Sequence, residues 1–262
     1  MADALEGRVA LVTGASRGIG AAIAQRFGAE GAAVAVVARS LEPGSGGHLD
    51  GSLQETAAAI RAVGGRAVPI AADLADPACD RAAIVAAAEA ELGPVDILVN
   101  NAAACFYLSI DDTSERRLRV AYEVNVITPY LLTKAAVPGM RARGRGWILN
   151  ITSAIVDTVR LDSPQQARSS TYAPSKAALD RLTVSFATEL RGTGIAVNAL
   201  APELAVATPG ATAVMDLPPE WCEPMDVMTG AALALATCDP GRESGLVVRS
   251  GPYLRARAAA GS

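Results

Sequence analysis

The chain has 262 residues, of which 51% are hydrophobic, 19% charged and only 4% aromatic. This composition is typical of a globular protein with a large core of small side chains, and it excludes a disordered chain. A net charge of −4 offers no basic surface to nucleic acid, and no apolar run reaches membrane-spanning length, so we expect neither partner.

The cysteines and the N-terminus point to the same cellular compartment. Cys79, Cys105, Cys222 and Cys238 are widely spaced and form no CxxC pair, which indicates buried thiols rather than disulfides or a zinc site. The N-terminus lacks the charged-then-apolar pattern of a signal peptide. We therefore expect a cytoplasmic protein, and the single histidine, His48, argues against a metal centre.

A glycine-rich turn lies between the first predicted strand (8–13) and the first predicted helix (18–30). Its sequence, Gly14-Ala15-Ser16-Arg17-Gly18-Ile19-Gly20, has the spacing Gly-x₃-Gly-x-Gly. A strand, a glycine turn and a helix together form a unit that binds a pyrophosphate at the helix N-terminus. Taken alone the glycines are a weak signal, but their place between strand and helix favours phosphate binding.

The end of the second predicted strand (32–38) bears on the choice of cofactor. Folds that bind NAD place an acidic residue there to accept the ribose 2′-hydroxyl, whereas this chain has Arg39. An arginine suits a 2′-phosphate through its charge and its forked donors, and Arg17 could reach the same phosphate. The alternative is two solvated surface arginines. We expect NADP(H), with NAD(H) as the second choice.

Strands and helices alternate along the rest of the chain, which predicts one doubly wound parallel sheet with helices on both faces. The chain has no internal repeat and no linker for a second domain, so we expect one domain over 1–262. The further predicted strands are 67–72, 95–99, 145–151, 195–200 and 245–248. The further predicted helices are 53–63, 76–92, 111–123, 124–143 (the last two possibly one bent helix), 171–190 and 224–237. Residues 41–52 and 157–170 are predicted loops.

Small and polar residues follow the predicted strands. Ligands of doubly wound sheets bind beyond the carboxyl ends of the strands, and Gly14, Asp73, Asn100, Ser153 and Pro202 all fall there. The Asp73 carboxylate could accept the adenine amino group. Its alternative role is a helix N-cap, which Asp76 could fill equally well.

Tyr172 and Lys176 are four residues apart on a predicted helix, so both side chains share one face. A free phenol has a pKa of about 10, and an adjacent ammonium lowers that pKa towards neutrality. The pair is therefore a candidate proton-transfer device. By itself it could equally be a surface tyrosine beside a solvated lysine.

With these residues in place, the chain resembles the classical short-chain dehydrogenase/reductase family over nearly its whole length. The resemblance rests on residues 13–20, Asp73, Asn100-Asn101-Ala102, Asn125, Ser153 and Tyr172 with Lys176. It implies a Rossmann fold of about seven strands and a homotetramer or homodimer. The cofactor site it implies comprises Gly14, Ser16, Arg17, Gly18, Ile19, Gly20, Arg39, Asp73, Leu74, Asn100, Ala102, Tyr172, Lys176, Pro202 and Thr208.

The resemblance also implies a catalytic tetrad of Asn125, Ser153, Tyr172 and Lys176. In the family, the tyrosine exchanges a proton with the substrate oxygen, to which the serine donates a hydrogen bond. The lysine binds the nicotinamide ribose and lowers the tyrosine pKa, and the asparagine holds a water in a proton relay.

This chain departs from the family pattern in three places. Ala103 and Glu203 stand where glycine is usual, and Tyr172 follows Ser153 by nineteen positions, a longer interval than is usual. We expect Glu203 to adopt ordinary backbone angles with its carboxylate turned away from the cofactor, in a reshaped loop that still lets Thr208 approach the nicotinamide. We expect the loop 157–170 to order over the substrate and set specificity.

The sequence thus predicts an NADP(H)-dependent oxidoreductase that interconverts a carbonyl and a secondary alcohol. Apolar residues in the loops 157–170 and 203–222, such as Leu204 and Trp221, suggest an apolar substrate: a ketone, a sterol or a 3-oxoacyl chain. The alternative is a dinucleotide-sensing or scaffolding protein that kept the fold and lost turnover, a reading supported only by Glu203.

Overall fold

The computed structural model describes residues 3–45, 49–157, 167–214 and 216–260. His48 and most of the loop 157–170, together with the prediction that this loop orders over the substrate, lie outside the described residues. The strands are β1 (Val9–Thr13), β2 (Ala33–Ala38), β3 (Arg66–Ala71), β4 (Ile97–Asn100), β5 (Gly146–Ile151), β6 (Ile195–Ala201) and β7 (Val247–Arg249).

All seven strands are parallel and form one sheet in the order β3-β2-β1-β4-β5-β6-β7. The chain leaves β1 towards one edge and returns to its other side with β4, so the strand order reverses between β1 and β4. Such a reversal opens a crevice at the carboxyl ends of the strands, where doubly wound folds bind their ligands. The predicted single-domain Rossmann fold is confirmed.

Helices cover both faces of the sheet. They are α1 (Gly18–Ala29), α2 (Leu53–Ala62), α3 (Arg81–Leu92), α4 (Glu115–Tyr122), α5 (Thr128–Arg143), α6 (Tyr172–Glu189), the single turn α7 (Pro209–Thr212), α8 (Met225–Ala236) and α9 (Ser250–Ala260). In the described part of the chain, none of them is both long and apolar enough to cross a membrane.

The pleat of the strands divides the core between the two faces. In β1, Ala10 and Val12 belong to the cluster under α1, α2 and α8, while Val9 and Leu11 belong to the cluster under α3, α5 and α6. Successive side chains point to opposite faces, so a strand buried on both must be apolar at every position. The run Val9–Val12 meets that demand, and Thr13 at the end of the strand is buried with its hydroxyl donating to the Val99 carbonyl.

The predicted start of the third helix was wrong. The helix begins at Arg81 rather than at 76, because Asp80 is its N-cap and accepts hydrogen bonds from the backbone of Ala82 and Ala83. Asp76 instead accepts from the Ala78 amide. Such a side-chain turn competes with helix, and Pro77 disfavours helical angles at the residue before it.

The last helix was not predicted at all. α9 follows β7 directly at Ser250 and continues to Ala260, whereas the sequence led us to end the structure at a strand over 245–248. Gly251 and Pro252 read as breakers, but a proline is tolerated in the first turn of a helix, where its missing N–H is not needed.

Candidate active site

The glycine turn is packed against the segment that follows β4. A Cβ on Gly14 would lie 2.8 Å from the Ala102 Cα, and one on Gly20 would overlap the Asn101 amide. The Asn101 side chain donates to the Thr13 carbonyl (2.8 Å). These two glycines are therefore required by contact with the neighbouring strand end, in addition to any approach of a phosphate.

The N-terminus of α1 faces the crevice with free backbone donors. Arg17 is its N-cap residue and makes no side-chain cap hydrogen bond, so the first N–H groups stay available to an anion. Gly18 has φ +57°, and a Cβ there would lie 3.2 Å from Thr208. The turn thus lies directly beside the loop that follows β6.

Two arginines border the crevice beside the turn. Arg17 donates to the Ser40 hydroxyl (3.3 Å) and the Gly51 carbonyl (3.1 Å), while its buried Nε has no partner in the described part of the chain. Arg39 is 71% exposed and lies 4.0 Å from Asp73. Two guanidinium groups facing one space are the donor set that a 2′-phosphate requires.

Asp73 and Leu74 form the wall opposite the arginines. The Asp73 carboxylate accepts from the Ala75 amide (3.0 Å) and caps no helix, since Asp80 caps α3. Leu74 is buried, and its carbonyl accepts from Arg81 (3.0 Å). Asp73 and Leu74 both line the cavity at the arginines.

Ser153, Tyr172 and Lys176 meet at the other end of the crevice. The Lys176 side chain is buried and donates to the Ile151 carbonyl (2.7 Å). Its ammonium lies 5.8 Å from the centre of the Tyr172 ring, and the Ser153 side chain is close enough to the Tyr172 phenol to lower its pKa. The end of β5 and the first turn of α6 thus bring these three side chains together.

Burial dominates the titration of this group. It raises the pKa of Tyr172 above its ordinary value, while Ser153 acts in the opposite direction. Burial also lowers the pKa of Lys176 to about 8, against the raising effect of Cys105 and Asp180. The pKa of Tyr172 is thus raised rather than lowered towards neutrality, which favours the protonated form of the phenol.

Asn125 lies outside the crevice, in a π-helical segment, Glu123–Ile127, that joins α4 to α5. Its side-chain oxygen accepts from the Ala104 amide (2.9 Å), and its amide nitrogen donates to the Ala104 carbonyl and to the Ser175 hydroxyl (both 2.9 Å). The side chain therefore fixes the loop after β4 against α6. A π-segment at this place is typical of functional sites.

Two cavities extend along the crevice and share Arg17, Arg39 and Asn101 in their walls. The one at the arginines measures about 440 Å³, and the one at Tyr172 about 820 Å³. Together they are lined by Gly14, Ser16, Arg17, Ile19, Gly20, Arg39, Asp73, Leu74, Ala102, Ser153, Tyr172, Lys176, Pro202 and Thr208. Gly18, Asn100 and Asn125 line neither. Asn100 is buried and donates to Asn150 (2.8 Å).

Glu203 lies at the start of the loop that follows β6. Among the described non-glycine residues only Asp3 has positive φ, so Glu203 takes ordinary backbone angles. Its carboxylate forms two hydrogen bonds with Arg255 of α9 (2.9 and 3.1 Å). The absence of glycine is thus accommodated by backbone conformation and by an ion pair, and Thr208 stays beside the glycine turn.

Cys105 and Tyr107 also line the larger cavity, which the sequence analysis did not foresee. The Tyr107 ring packs edge-on to Tyr172 at 6.1 Å. Burial raises the pKa of both Tyr107 and Cys105, that of the thiol to about 11. The sequence signal that could have identified Cys105 and Tyr107 is their position shortly after the Asn-Asn-Ala segment. Among the described residues, no cluster of histidine, cysteine and carboxylate side chains could hold a metal ion.

Comparison with known proteins agrees with this geometry. A family model described as short chain dehydrogenase matches residues 8–216. A short chain dehydrogenase of Pseudocercospora fijiensis is 40% identical over 201 residues, and human hydroxysteroid dehydrogenase-like protein 2 is 33% identical over 236. These alignments cover 76% and 88% of this chain, but only 60% and 54% of the relatives.

A solved structure shares both fold and length. A metagenomic short-chain oxidoreductase, crystallised in complex with NADP, superposes with a TM-score of 0.75 at 32% identity. The match covers 94% of this chain and 99% of that one.

Proposed function

Since this chain belongs to the short chain dehydrogenase family of oxidoreductases, we propose that it interconverts a carbonyl compound and a secondary alcohol with NADP(H). One observation carries the proposal. A single crevice holds a buried lysine, a phenol and a hydroxyl at one end and two arginines beside a free helix N-terminus at the other. The first group moves a proton, and the second binds a phosphorylated dinucleotide.

The proton steps follow from the arrangement of the side chains. Ser153 hydrogen-bonds the substrate oxygen and orients it towards Tyr172. The neutral phenol of Tyr172 donates its proton to that oxygen in reduction and takes it back in oxidation. The raised pKa of Tyr172 keeps the phenol protonated, as the reduction step requires. A bound nicotinamide cofactor supplies or accepts the hydride.

Lys176 and Asn125 support these steps. The ammonium of Lys176 binds the nicotinamide ribose and stabilises the negative charge that develops on Tyr172. The side-chain amide of Asn125 already makes three hydrogen bonds to protein atoms. The relay water is therefore held by the main chain of Asn125 rather than by its side chain. The π-helical segment, which displaces the ordinary helical hydrogen bonds, supports this assignment.

The preference for NADP(H) rests on Arg17 and Arg39. Both border the crevice beside the second strand, where a carboxylate would repel a 2′-phosphate. Arg17 lines both cavities and the head of Arg39 is exposed, so both side chains can supply donors to a phosphate bound there. The structural relative crystallised with NADP supports the same choice.

The substrate we propose is an uncharged, apolar carbonyl compound: a ketone, a sterol or a 3-oxoacyl chain. Beyond Tyr172 the larger cavity is bordered mainly by apolar side chains, including Phe106, Ile155, Leu204, Val206 and Leu217. Its acidic group, Glu203, is paired with Arg255. The hydroxysteroid dehydrogenase-like relative supports the sterol among these candidates.

The alternative of a catalytically weak dinucleotide sensor drew on Glu203 alone, and the Arg255 pair removes that support. We further propose that the single domain over 1–262 carries both sites, that the protein works in the cytoplasm, and that it assembles as a homotetramer or homodimer.

The test is oxidation of NADPH, and separately of NADH, over a panel of ketones, sterol ketones and 3-oxoacyl thioesters. We expect turnover of at least one apolar carbonyl compound, with NADPH preferred. Tight NADPH binding with no turnover across the panel would instead support the sensor.

A further inference from the structure

A buried carboxylate fastens the segment that follows β6. Glu223, just before α8, is only 8% exposed. Its Oε2 accepts hydrogen bonds from the backbone amides of Glu203 (2.9 Å) and Leu204 (3.3 Å). The Ser250 hydroxyl at the start of α9 donates to both carboxylate oxygens (2.7 and 2.9 Å).

Backbone hydrogen bonds hold the same segment from the same side. The Glu223 amide donates to the Ala205 carbonyl (2.8 Å), and the Ala205 amide donates to the Trp221 carbonyl (2.9 Å). The Ser250 hydroxyl also accepts from the Glu203 amide (3.1 Å). Three consecutive residues, 203–205, are therefore fixed by groups from distant parts of the chain.

This segment leads directly to the crevice. Pro202, Val206 and Thr208 line the larger cavity, and Thr208 lies against Gly18 at the N-terminus of α1. A shift of residues 203–205 would move Thr208 relative to the glycine turn. The position of Glu223 therefore determines how closely the loop approaches a cofactor bound between them.

We propose that Glu223, with Ser250 as its partner, is a positioning residue for the cofactor: it sets the loop 203–208 over the nicotinamide end of the crevice. This inference rests on the proposed function. A carboxylate suits the task because three donors converge on it and it accepts without donating. Removing it takes away the partner of the Leu204 amide and one of the two partners of the Glu203 amide.

The experiment uses the full chain and four variants: Glu223→Ala, Glu223→Gln, Ser250→Ala and, as a matched control, Glu220→Ala. Glu220 is exposed and lies three residues before Glu223. For each variant, the dissociation constant of NADPH is measured by fluorescence titration and the thermal midpoint by circular dichroism. KM for NADPH and kcat are measured with the best substrate of the panel.

We expect Glu223→Ala to raise the NADPH dissociation constant and KM about tenfold and to lower kcat less than about threefold. Glu223→Gln keeps one acceptor oxygen for the amides, and it should stay within about threefold of wild type. Ser250→Ala should raise KM about threefold, and Glu220→Ala should match wild type. A merely structural role would lower the thermal midpoint without this split between KM and kcat.

An NADPH KM of Glu223→Ala and Ser250→Ala within about twofold of the Glu220→Ala value would overturn the inference. If Glu223→Ala does not fold, Ser250→Ala decides by the same criterion. Failure of wild type to bind NADPH would overturn the proposed function instead, so the two failures are distinguishable.

Discussion

The two ends of the crevice are built in different ways. The phosphate end, which comprises residues 14–20 with Arg39 and Asp73, uses backbone groups and exposed charges from the first third of the chain. The reacting end, which comprises Ser153, Tyr172, Lys176 and the loop 203–208, uses buried side chains and partners from α6, α8 and α9. Exposed charges discriminate between ligands with a modest interaction free energy, because solvent screens them. Buried groups control ionisation and position, and the loss of a buried hydrogen-bond partner costs more free energy.

Removing the phenol at the reacting end should have the largest effect. Tyr172→Phe takes away the proton donor and keeps the ring, so we expect kcat to fall by about 10²–10⁴-fold with NADPH binding nearly unchanged. Steady-state kinetics and fluorescence titration check this. Tyr130→Phe, whose ring packs on Phe186 at 5.3 Å, is the matched control. If Tyr172→Phe retains more than about a tenth of wild-type kcat, well above the expected range, the assignment is wrong.

At the phosphate end, reversing one exposed charge should change selection and leave chemistry alone. Arg39→Asp loses charge-assisted hydrogen bonds worth about 1.5–3 kcal/mol, or about one to two decades in kcat/KM for NADPH. The preference for NADPH over NADH should vanish or reverse, with kcat for the better cofactor retained. Arg191→Asp makes the same charge change on an exposed residue after α6. Equal kcat/KM for both cofactors in wild type would refute this assignment.

Two glycine-to-alanine changes in helices sharpen the packing argument. In Gly20→Ala the new Cβ overlaps Asn101 and the Gly14 carbonyl, so we expect about 1–3 kcal/mol less unfolding free energy, together with weaker NADPH binding. In Gly230→Ala the nearest contact is an ordinary 3.6 Å to Leu254, and helix propensity should raise stability by up to about 1 kcal/mol. Urea denaturation measures the unfolding free energy of both variants. Equal changes in the two variants would contradict the close packing of the glycine turn.

Burial at the reacting end should also appear in the pH profile. Because burial lowers the pKa of Lys176 to about 8, kcat/KM for NADPH should fall as pH rises through this value and the ammonium loses its proton. Asp180 raises the pKa of Lys176, so Asp180→Asn should move the descending limb to lower pH. Asp226→Asn, at an exposed position in the first turn of α8, should leave the descending limb in place. If the descending limb of the pH profile does not move in Asp180→Asn, its assignment to Lys176 is wrong.

The smallest effect should come from Glu203, whose carboxylate is exposed and paired with Arg255. Exposed ion pairs contribute little because solvent screens them, so Glu203→Gly should change the NADPH dissociation constant less than about twofold. Titrations at several salt concentrations check this. A gain of about tenfold that shrinks with added salt would show that the carboxylate faces the phosphates.

Local sequence determined the parts of this protein that depend on short-range rules. Apolar runs fixed the strands, since a strand buried on both faces must be apolar throughout. The alternation of strands and helices then required a parallel sheet, and parallel strand ends gather at one edge. That is why Gly14, Asp73, Ser153 and Pro202 could be placed on one crevice in advance.

Only the tertiary structure decided the rest, because it depends on contacts between distant residues. Gly14 and Gly20 are required by Asn101, more than eighty residues away in the sequence. The pKa of Tyr172 is raised because burial outweighs the opposing effect of Ser153, and no spacing reveals burial. Glu203 is tolerated because Arg255 of an unforeseen helix pairs with it, and the loop it begins is held by Glu223 and Ser250. These groups come together only when the complete sheet and its helices have assembled.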